Sequence, residues 1–550
     1  MRAESGSGGV ADGARPGLAP LDLGVFHALF VALVEEMGAV LQRTALSPNI
    51  VERRDHSCAL YDDAGRTLAM GDHMPVHLGS MPLSVRAVRE ALELGPGDVA
   101  IVNDPAAGGT HLPDLTLVRA VFLDGEPTPA FFLANRAHHA DVGGRTGGSM
   151  GLSTDLWQEG TVLSPVRLQA GGRKVCPTWR FLLAGVRTPE EREGDLAAQL
   201  AALETGDRRL RALVARYGRA KLAAMGSALL DYTARAARTA LGDLPDGSWD
   251  FADWLDGDGM GEGPLQICVR LTLSDGAAAF DFRGTAAPAR GPLNANPAIV
   301  RSAILYVVRA LCADDLPAND GLLEPVTIEV PPGSLLDPAP GSAVSGGNVE
   351  TSQRIVDTLL GAFALAAPGR IPAASQGTMN NLALSGTLAG GRPFTYYETV
   401  AGGAGGHPER AGASGIHTHM TNSLNTPVEA LERALPVRVV RYGYRRGSGG
   451  AGRRPGGDGI VRELEALAPM EGTLLADRRT TAPWGLAGGD GGRPGEDTIL
   501  RGGTAEPLPA KGRFDLAPGD RVRIETPGGG GWGTPEGGSV SGIRGGGTGR

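Results

Sequence analysis

The stretch from residue 98 to 144 constrains the fold most, because strand-forming runs alternate there with turn signals. Residues 98–104 (DVAIVND) form a short apolar run, and residues 115–123 (LTLVRAVFL) are rich in β-branched and aromatic side chains. Both compositions favour strands. Residues 124–125 (DG) are a hairpin signal, after which residues 131–135 return along the second strand. The sequence therefore predicts an antiparallel hairpin.

Antiparallel pairing decides which polar side chains meet at the open end of this hairpin. With the loop lengths usual for hairpins, the numbers of opposed residues sum to roughly 249–252. Asp114 then lies opposite a residue near 135–138, and His111 opposite one near 138–141. Two imidazoles, His111 and His138, would converge with a carboxylate, which suits a divalent metal with open positions. A polar strand end with ordinary turn caps is the alternative.

Three segments carry a resemblance to a known family. Residues 52–66 (ERRDHSCALYDDAGR), 108–118 (GGTHLPDLTLV) and 134–144 (ANRAHHADVGG) closely resemble the hydantoinase B/oxoprolinase family. That family includes N-methylhydantoinase B subunits, the C-terminal part of 5-oxoprolinase and the acetone carboxylase alpha subunit. The resemblance runs from about residue 21 to 532, which is nearly the whole chain.

The resemblance implies a divided enzyme. In such enzymes a hydantoinase A-like subunit, or an N-terminal half, uses ATP to phosphorylate the substrate carbonyl. The three lysines of this chain, Lys174, Lys221 and Lys511, lie in no G-x-x-x-x-G-K-[ST] loop. We therefore expect ATP on a partner subunit in a hetero-oligomer, a small cyclic amide as substrate, and Mn, Zn or Fe as the metal.

Further site residues follow partly from the resemblance. It places Asp55 beside the metal as an additional ligand, although by spacing alone Asp55 could equally pair with Arg53 or its neighbour. His139 or Asp141 is expected to orient a ligand or to take a proton. His73 and His77 have the i, i+4 spacing of a metal pair, but Pro75 disfavours a regular helix there. We expect them to anchor a loop.

A second cluster of possible chemistry contains Glu398, His417 and His419. If residues 415–422 form a strand, the two histidines point to the same face. The three side chains could then form a second metal site, an acid/base pair or a hydrogen-bonded brace, and the resemblance favours a place in the active site. The polar segment 346–353, which includes Asn348, either caps a helix or contacts substrate.

Composition bounds the remaining possibilities. The chain has 550 residues, 41% of them apolar, a net charge of −9 and no long basic run, so a nucleic-acid surface is not expected. Its 4 cysteines are widely spaced and indicate neither a disulfide framework nor a zinc cluster. No signal peptide is recognisable at the N-terminus, and the apolar run at residues 25–34 is too short to span a bilayer. We expect a reducing cytoplasm and no membrane.

The predicted fold is a mixed α/β (α+β), multi-layer subunit with a helical insertion after the metal-site hairpin and a β-rich C-terminal part. The glycine-rich residues 447–452 match G-x-G-x-x-G, but no helix follows them, so a mobile loop is predicted. The predicted parts are a disordered tail at 1–18, an N-terminal α/β part with the metal site at 19–246, a central α/β part with His417 and His419 at 247–434, a β-rich part at 435–532, and a flexible tail at 533–550.

These features predict the metal-bearing subunit of an ATP-dependent lactam- or hydantoin-opening amidohydrolase. A carboxylase like the acetone carboxylase alpha subunit, a non-catalytic scaffold for the ATP-binding partner and a stand-alone metallohydrolase are the alternatives.

Overall fold

The computed structural model describes residues 20–71, 74–312 and 316–535. The predicted tail at 1–18 lies outside the described residues, as does the predicted tail at 533–550 from residue 536 onward. The helices are α1 Pro20–Thr44, α2 Pro48–Val51, α3 Met81–Ala91, α4 Cys176–Ala184, α5 Pro189–Tyr217, α6 Arg219–Gly242, α7 Pro297–Leu311, α8 Ser352–Ala366 and α9 Val428–Ala434.

The strands of the first half are β1 His56–Tyr61, β2 Thr67–Met70, β3 Val99–Val102, β4 Asp114–Val121, β5 Phe131–His138, β6 Val166–Ala170, β7 Arg173–Lys174, β8 Gly247–Leu255, β9 Leu265–Ser274, β10 Ala277–Asp281 and β11 Val326–Glu329. Those of the second half are β12 Asn381–Thr387, β13 Pro393–Thr399, β14 Val437–Arg445, β15 Gly459–Ala466, β16 Met470–Leu475, β17 Glu496–Arg501, β18 Thr504–Pro507, β19 Lys511–Leu516 and β20 Arg521–Glu525.

The N-terminal layer is an antiparallel sheet in the order β2-β1-β5-β4-β3-β6-β7. Because side chains alternate along a strand, β4 directs Leu115 and Leu117 into the core formed with α1, α5 and α6. Val118 and Ala120 face the opposite core, which α3 covers. Helices cover both faces, so the hairpin β4–β5 lies in the interior.

The predicted helical insertion is present as α5 and α6, which pack with α1 against this sheet. Residues 22–44 of α1 are long and apolar enough to cross a membrane, with a mean hydropathy of 1.7. The prediction concerned residues 25–34 alone and did not anticipate the longer apolar helix that contains them. In the fold, Phe30, Val34 and Met37 of α1 are fully buried against neighbouring elements, so one side of the helix packs in the core.

The central layer is the sheet β11-β10-β9-β8, against which α8 packs with α7 beside it. Two further sheets, β13-β12-β16-β19 and β14-β15-β20-β17-β18, form the C-terminal part. A π-helical turn at Gly347–Thr351 leads into α8 and carries polar side chains toward the first sheet. The predicted mixed, multi-layer class with a β-rich C-terminal part is confirmed.

Glycine-rich segments near the C-terminus pack backbone against backbone. These segments, which we call the glycine bundle, are residues 401–406, 447–457, 485–492 and 526–533. Gly450 N donates to Gly529 O (2.8 Å), and Gly529 N donates to Gly457 O (2.9 Å). A Cβ at Gly529 would lie 2.0 Å from the oxygen of Ala404. The prediction of a mobile loop at 447–452 is therefore wrong, because the absence of side chains allows the backbones to bond directly.

Candidate metal centre

The hairpin brings the predicted ligands together. Asp114 pairs directly with His138 in the β4–β5 ladder, so the numbers of opposed residues lie at the upper end of the predicted range. Candidate ligand atoms of His111, Asp114 and His138 all lie within 4.8 Å of one another. His111 Nε2 is 3.1 Å from Asp114 Oδ1, and His138 Nδ1 is 3.5 Å from the same oxygen. The predicted convergence is present.

Each imidazole is oriented by a second contact. His111 Nδ1 lies 3.2 Å from the carbonyl oxygen of Ser345. A proton on Nδ1 would be donated there, which leaves Nε2 free to face Asp114 as a ligand does. The ring of His138 stacks on Tyr397, with 4.6 Å between the centroids and 13° between the planes. The stacking fixes the plane of the imidazole.

His77 joins the cluster, contrary to the expectation that it only anchors a loop. Its Nε2 lies 3.4 Å from Asp114 Oδ2, and its Nδ1 lies 2.9 Å from Ser57 Oγ. A short 3₁₀ helix, Pro75–His77, presents the ring, so Pro75 excludes an α-helix there without excluding a role at the site. His73 lies outside the described residues.

The Asp114 carboxylate is held on both sides. Thr110 Oγ1 donates to Oδ2 (2.8 Å), and Asn348 Nδ2 donates to the same oxygen (3.2 Å). Asn348 belongs to the π-helical turn before α8, so the central part of the chain contributes to a site built on the first sheet. The α8 N-terminus has no side-chain cap, and Asn348 contacts the Asp114 carboxylate instead. A contact of this segment with substrate stays a prediction.

The pKa shifts of Asp114 and His138 favour the forms that bind a cation, whereas the shift of His111 favours its protonated form. Burial alone would raise the pKa of Asp114, but His111 and His77 hold it well below its usual range. Burial lowers the pKa of His138, although Asp114 opposes the shift. For His111 burial acts in the same downward direction, but the Asp114 carboxylate outweighs it and raises the pKa. An ionised carboxylate and a neutral imidazole are the ligand forms that metals bind.

The cluster lines a small closed cavity. All of its lining residues are at most 5% exposed, and it leaves about 10 Å³ for the centre of a water-sized sphere, which is room for one ion or one water. His138 Nε2 is buried in this wall without a hydrogen-bond partner among the described residues. A buried ring nitrogen without a partner beside an ionised carboxylate fits a bound divalent cation. Thr421 and Ser423 also line the cavity, and the residue that follows them, Leu424, is 48% exposed.

Asp55 also lines the cavity, and its carboxylate lies 4.0 Å from Arg53 Nη2. The pairing with Arg53 is thus present, whereas the role of Asp55 as a further ligand stays a prediction, because the group of converging ligand atoms consists of His111, Asp114 and His138. The Arg53 guanidinium is fully buried, lies over the Tyr397 ring at 4.8 Å and donates to Thr399 Oγ1 (3.1 Å). Arg53 therefore supports the ring that stacks on His138.

The structure places His139 and Asp141 away from the cavity. His139 Nε2 lies 3.0 Å from Gln199 Oε1, on the opposite face of the strand from His138. Asp141 accepts hydrogen bonds from the Arg187 guanidinium (2.9 Å) and from the backbone N–H of Gly143 (3.0 Å). Neither side chain lines the metal cavity, so the expected orienting or proton-accepting contact is not formed.

Glu398, His417 and His419 are not brought together as predicted. Residues 415–422 form no strand. The Glu398 carboxylate is paired with Arg462 (3.1 Å), whereas His419 Nε2 lies 3.5 Å from Asp357 Oδ1. Burial, with the charge of Arg53 nearby, lowers the pKa of His417 to about 3. None of the three predicted arrangements is formed: Glu398 and His419 each pair with a different residue, and both ring nitrogens of His417 are buried without a hydrogen-bond partner among the described residues.

Sequence comparison identifies the family. The profile of the family described as hydantoinase B/oxoprolinase matches residues 19–535. The chain belongs to the hydantoinase B/oxoprolinase family. It is 37% identical to 5-oxoprolinase 1 of Arabidopsis thaliana over 94% of this chain and 42% of that protein. It is 30% identical to the B subunit of a putative D-/L-hydantoinase of Pseudomonas sp., over 91% of this chain and 87% of that one.

Two solved structures share the fold of this hydantoinase B/oxoprolinase chain. An ATP-dependent caprolactamase from Pseudomonas jessenii matches 94% of this chain and 92% of its own, with a TM-score of 0.87 and 27% identity. A nucleotide-free acetone carboxylase matches 94% of this chain and 76% of its own, with a TM-score of 0.85 and 17% identity. The second likeness shows the fold alone.

Length separates two kinds of relative. The chain spans about two fifths of the length of the eukaryotic relatives it matches, but most of the Pseudomonas hydantoinase chain. Several of the longer relatives are named 5-oxoprolinase.

Proposed function

We propose that this chain is the metal-bearing subunit of an ATP-dependent hydrolase of a lactam or hydantoin. The observation that carries the proposal is the buried cluster of His111, Asp114 and His138 in a closed cavity of atomic size. The named activities of its relatives, 5-oxoprolinase, hydantoinase and caprolactamase, support the substrate class.

His111, Asp114 and His138 would hold a divalent Mn, Zn or Fe ion, with Asp55 as a further ligand from the cavity wall. Such an ion, when bound, acidifies water and polarises a carbonyl oxygen. Two histidines with carboxylates suit all three metals, so the donor set does not select among them.

The protein's own residues supply orientation and shielding. Thr110 and Asn348 fix the Asp114 carboxylate, and the Ser345 carbonyl fixes the His111 ring. The buried wall keeps bulk water away from the position of the metal. In this proposal His139, Asp141, Glu398, His417 and His419 stabilise the surroundings, and none of them contacts substrate.

The ATP-dependent step is assigned to a hydantoinase A-like partner subunit, so the working enzyme is a hetero-oligomer. Phosphorylation of the carbonyl oxygen there would convert a resonance-stabilised cyclic amide into a better electrophile. The relative named as the B subunit of a hydantoinase supports this division of labour. We also predict that this hetero-oligomer lies in the cytoplasm.

The test is reconstitution with an ATP-binding partner of the hydantoinase A type. We expect opening of a five- to seven-membered lactam or a hydantoin to require both subunits, ATP and a divalent metal, and to stop with chelator. Asp114→Ala should abolish ring opening while the complex still assembles, which distinguishes the enzyme from a scaffold. Turnover without the partner would instead indicate a stand-alone metallohydrolase.

The same preparation tests the carboxylase alternative, for which the likeness to acetone carboxylase supplies the fold alone. Ring opening without bicarbonate supports the hydrolase. A strict bicarbonate requirement, with products one carbon heavier, would replace it by the carboxylase.

A further inference from the structure

The π-helical turn Gly347–Thr351 connects to the metal cluster by two routes. Asn348 contacts the cluster directly, with its Nδ2 3.2 Å from Asp114 Oδ2. Glu350, two residues further along the same turn, is fully buried and connects to the cluster through other side chains. Turns of this kind are rare and are frequently found at functional sites, so the second connection bears on the metal centre as well.

Two short hydrogen bonds lead from Glu350 to Tyr397. Asn381 Nδ2 donates to Glu350 Oε1 at 2.7 Å, and the hydroxyl of Tyr397 donates to Asn381 Oδ1 at 2.7 Å. Asn381 Nδ2 also donates to the carbonyl oxygen of Leu475 at 2.7 Å. A carbonyl oxygen only accepts, so the NH₂ group of Asn381 must lie on this side and its oxygen faces the tyrosine. Both hydrogens of the NH₂ group thus have an acceptor.

Tyr397 extends this connection to a proposed metal ligand. Its ring stacks on His138, with 4.6 Å between the centroids and 13° between the planes. At the backbone end, the tyrosine is held by β13 and by Arg53 Nη1, which donates to its carbonyl oxygen at 2.7 Å. At the hydroxyl end, it is held by Asn381. A ring that is held at both ends keeps the imidazole stacked on it in one plane.

We propose that Glu350 is a positioning residue for the metal centre, because it fixes the plane of His138 through Asn381 and Tyr397. This inference rests on the proposed function, in which His138 binds the metal. The lone pair of an imidazole nitrogen lies in the plane of the ring, so a tilted ring binds a metal less tightly. One turn of the chain would then position two ligands, His138 through Glu350 and Asp114 through Asn348.

The hydrogen bond from Asn381 does not require a charged Glu350. Burial, together with the charge of Asp477, raises the pKa of Glu350 to about 7. The neutral and the ionised carboxyl both offer an oxygen that accepts. Glu350→Gln keeps such an oxygen for Asn381 and for the backbone N–H of Met379, which donates to Oε1 at 2.9 Å. Glu350→Leu removes this acceptor from both donors.

Metal titration of the full chain measures the effect without substrate or partner subunit. We expect Glu350→Leu to weaken the binding of Mn²⁺ or Zn²⁺ by about fivefold or more, and Glu350→Gln to bind within about twofold of the wild type. Tyr397→Phe keeps the ring and removes only the hydroxyl, so it should weaken binding by a similar factor to Glu350→Leu.

The neighbouring tyrosine on β13 offers a matched control. Tyr396 is as deeply buried as Tyr397, but its hydroxyl donates to Glu398 at 3.0 Å. Tyr396→Phe therefore removes a buried hydroxyl from the same strand without touching the connection to His138. It should bind metal as the wild type does.

A double-mutant cycle separates positioning from a general loss of packing. If Glu350 acts through the tyrosine hydroxyl, Glu350→Leu combined with Tyr397→Phe should weaken metal binding no more than the larger single effect does. The unfolding temperature of each metal-free protein is measured in parallel, since a merely structural role would lower it and leave metal affinity unchanged. Glu350→Ala replaces Glu350→Leu if the latter does not fold.

Four results would overturn the inference. Unchanged metal affinity in Glu350→Leu shows that His138 does not depend on Glu350, and an equal loss in Glu350→Gln shows that the charge matters rather than the hydrogen bond. An equal loss in Tyr396→Phe and Tyr397→Phe shows a general disturbance of β13. Single effects that multiply in the double variant show that Glu350 acts by another route.

Failure of the proposed function gives a different result. A wild-type chain that binds no divalent metal would refute the metal centre itself, and the inference would fail with it. In each of the four results above, the wild type still binds metal, so the two failures are distinguishable.

Discussion

The open end of the β4–β5 hairpin and the glycine bundle are both buried and tightly packed, but opposite features of the sequence specify them. At the hairpin, side-chain contacts hold the structure together: Asp114 alone contacts three histidines and two hydrogen-bond donors. In the bundle, backbone contacts hold it together: at Gly405 a Cβ would lie 1.8 Å from the oxygen of Ala373. One region depends on which side chains are present, the other on their absence.

This difference predicts which kinds of substitution each of the two regions tolerates. The hairpin should keep its fold and lose its chemistry when one polar atom is altered. The bundle should lose its fold when one methyl group is added. Four experiments test the contrast, from the largest expected effect to the smallest.

Adding a methyl group to the bundle tests its dependence on glycine. Gly405→Ala places a carbon against backbone that cannot rotate away, so we expect a loss of about 3 kcal/mol or more, seen as a lower unfolding temperature or insoluble protein. Gly443→Ala on β14, where a Cβ meets nothing within 4 Å, is the control and should change stability by about 0.5 kcal/mol or less. A well-folded Gly405→Ala protein would break the comparison.

Removing the charge at the hairpin tests its dependence on side chains. Asp114→Asn keeps the shape, so the protein should fold, but we expect metal affinity to fall by about 100-fold or more, because the buried anionic ligand is gone. Titration with Mn²⁺ or Zn²⁺ measures this. Asp141→Asn, which alters only the contacts with Arg187 and Gly143, should bind metal within about twofold of the wild type. A large loss of metal affinity in Asp141→Asn would show that Asp141 takes part in metal binding after all.

Acid should affect the two regions differently. The pKa of His417 is lowered to about 3 in the fold, below the ordinary value of 6.5. Between pH 6.5 and 3 the unfolded chain binds more protons at His417 than the folded chain does. The stability that depends on a neutral His417 is therefore complete above about pH 6.5 and is lost as the pH falls toward 3. Between pH 6.5 and 4.5 the metal-free wild type should lose about 1–2 kcal/mol more than His417→Gln. Partial burial and Arg410 also lower the pKa of His407, which lies beside the bundle, so His407→Gln should recover a smaller part of the loss than His417→Gln. Identical slopes in all three proteins would contradict the assignment.

The smallest expected effect concerns Glu159, which reaches the hairpin through one turn of backbone. Its carboxylate accepts from the N–H groups of Val344 (2.9 Å) and Ser345 (3.0 Å), and the Ser345 carbonyl faces His111. Glu159→Ala should therefore weaken metal binding by a few-fold, up to about tenfold. Ser153→Ala removes a hydroxyl that donates to the same carboxylate and leaves the turn in place, so it should bind metal as the wild type does.

The hairpin was predictable from sequence because its two strands follow each other directly, so counting limits the register to a few positions. Counting placed Asp114 opposite a residue near 135–138, and the structure selects His138. His77 was missed for the opposite reason. Its 3₁₀ helix is positioned by a hydrogen bond from the Val76 N–H to the Met420 carbonyl (3.3 Å). A local sequence pattern does not predict a contact between residues more than 300 positions apart.

Two errors came from applying local rules where distant contacts decide. Alternation along residues 415–422 would have put His417 and His419 on one face, but Gly415 and His419 have φ values of +62° and +58°, and such residues interrupt a strand. Glycine-rich loops are mobile when nothing packs on them. Residues 447–452 pack on other glycine segments, and composition alone does not reveal that pairing.

The closed cavity has a kinetic consequence. An ion bound among residues that are at most 5% exposed can exchange with the solvent only when part of the wall opens, so the exchange rate depends on the frequency of that opening and not on affinity alone. Protein purified from cells grown with different metals should then keep, through dialysis, the metal that it bound when it folded.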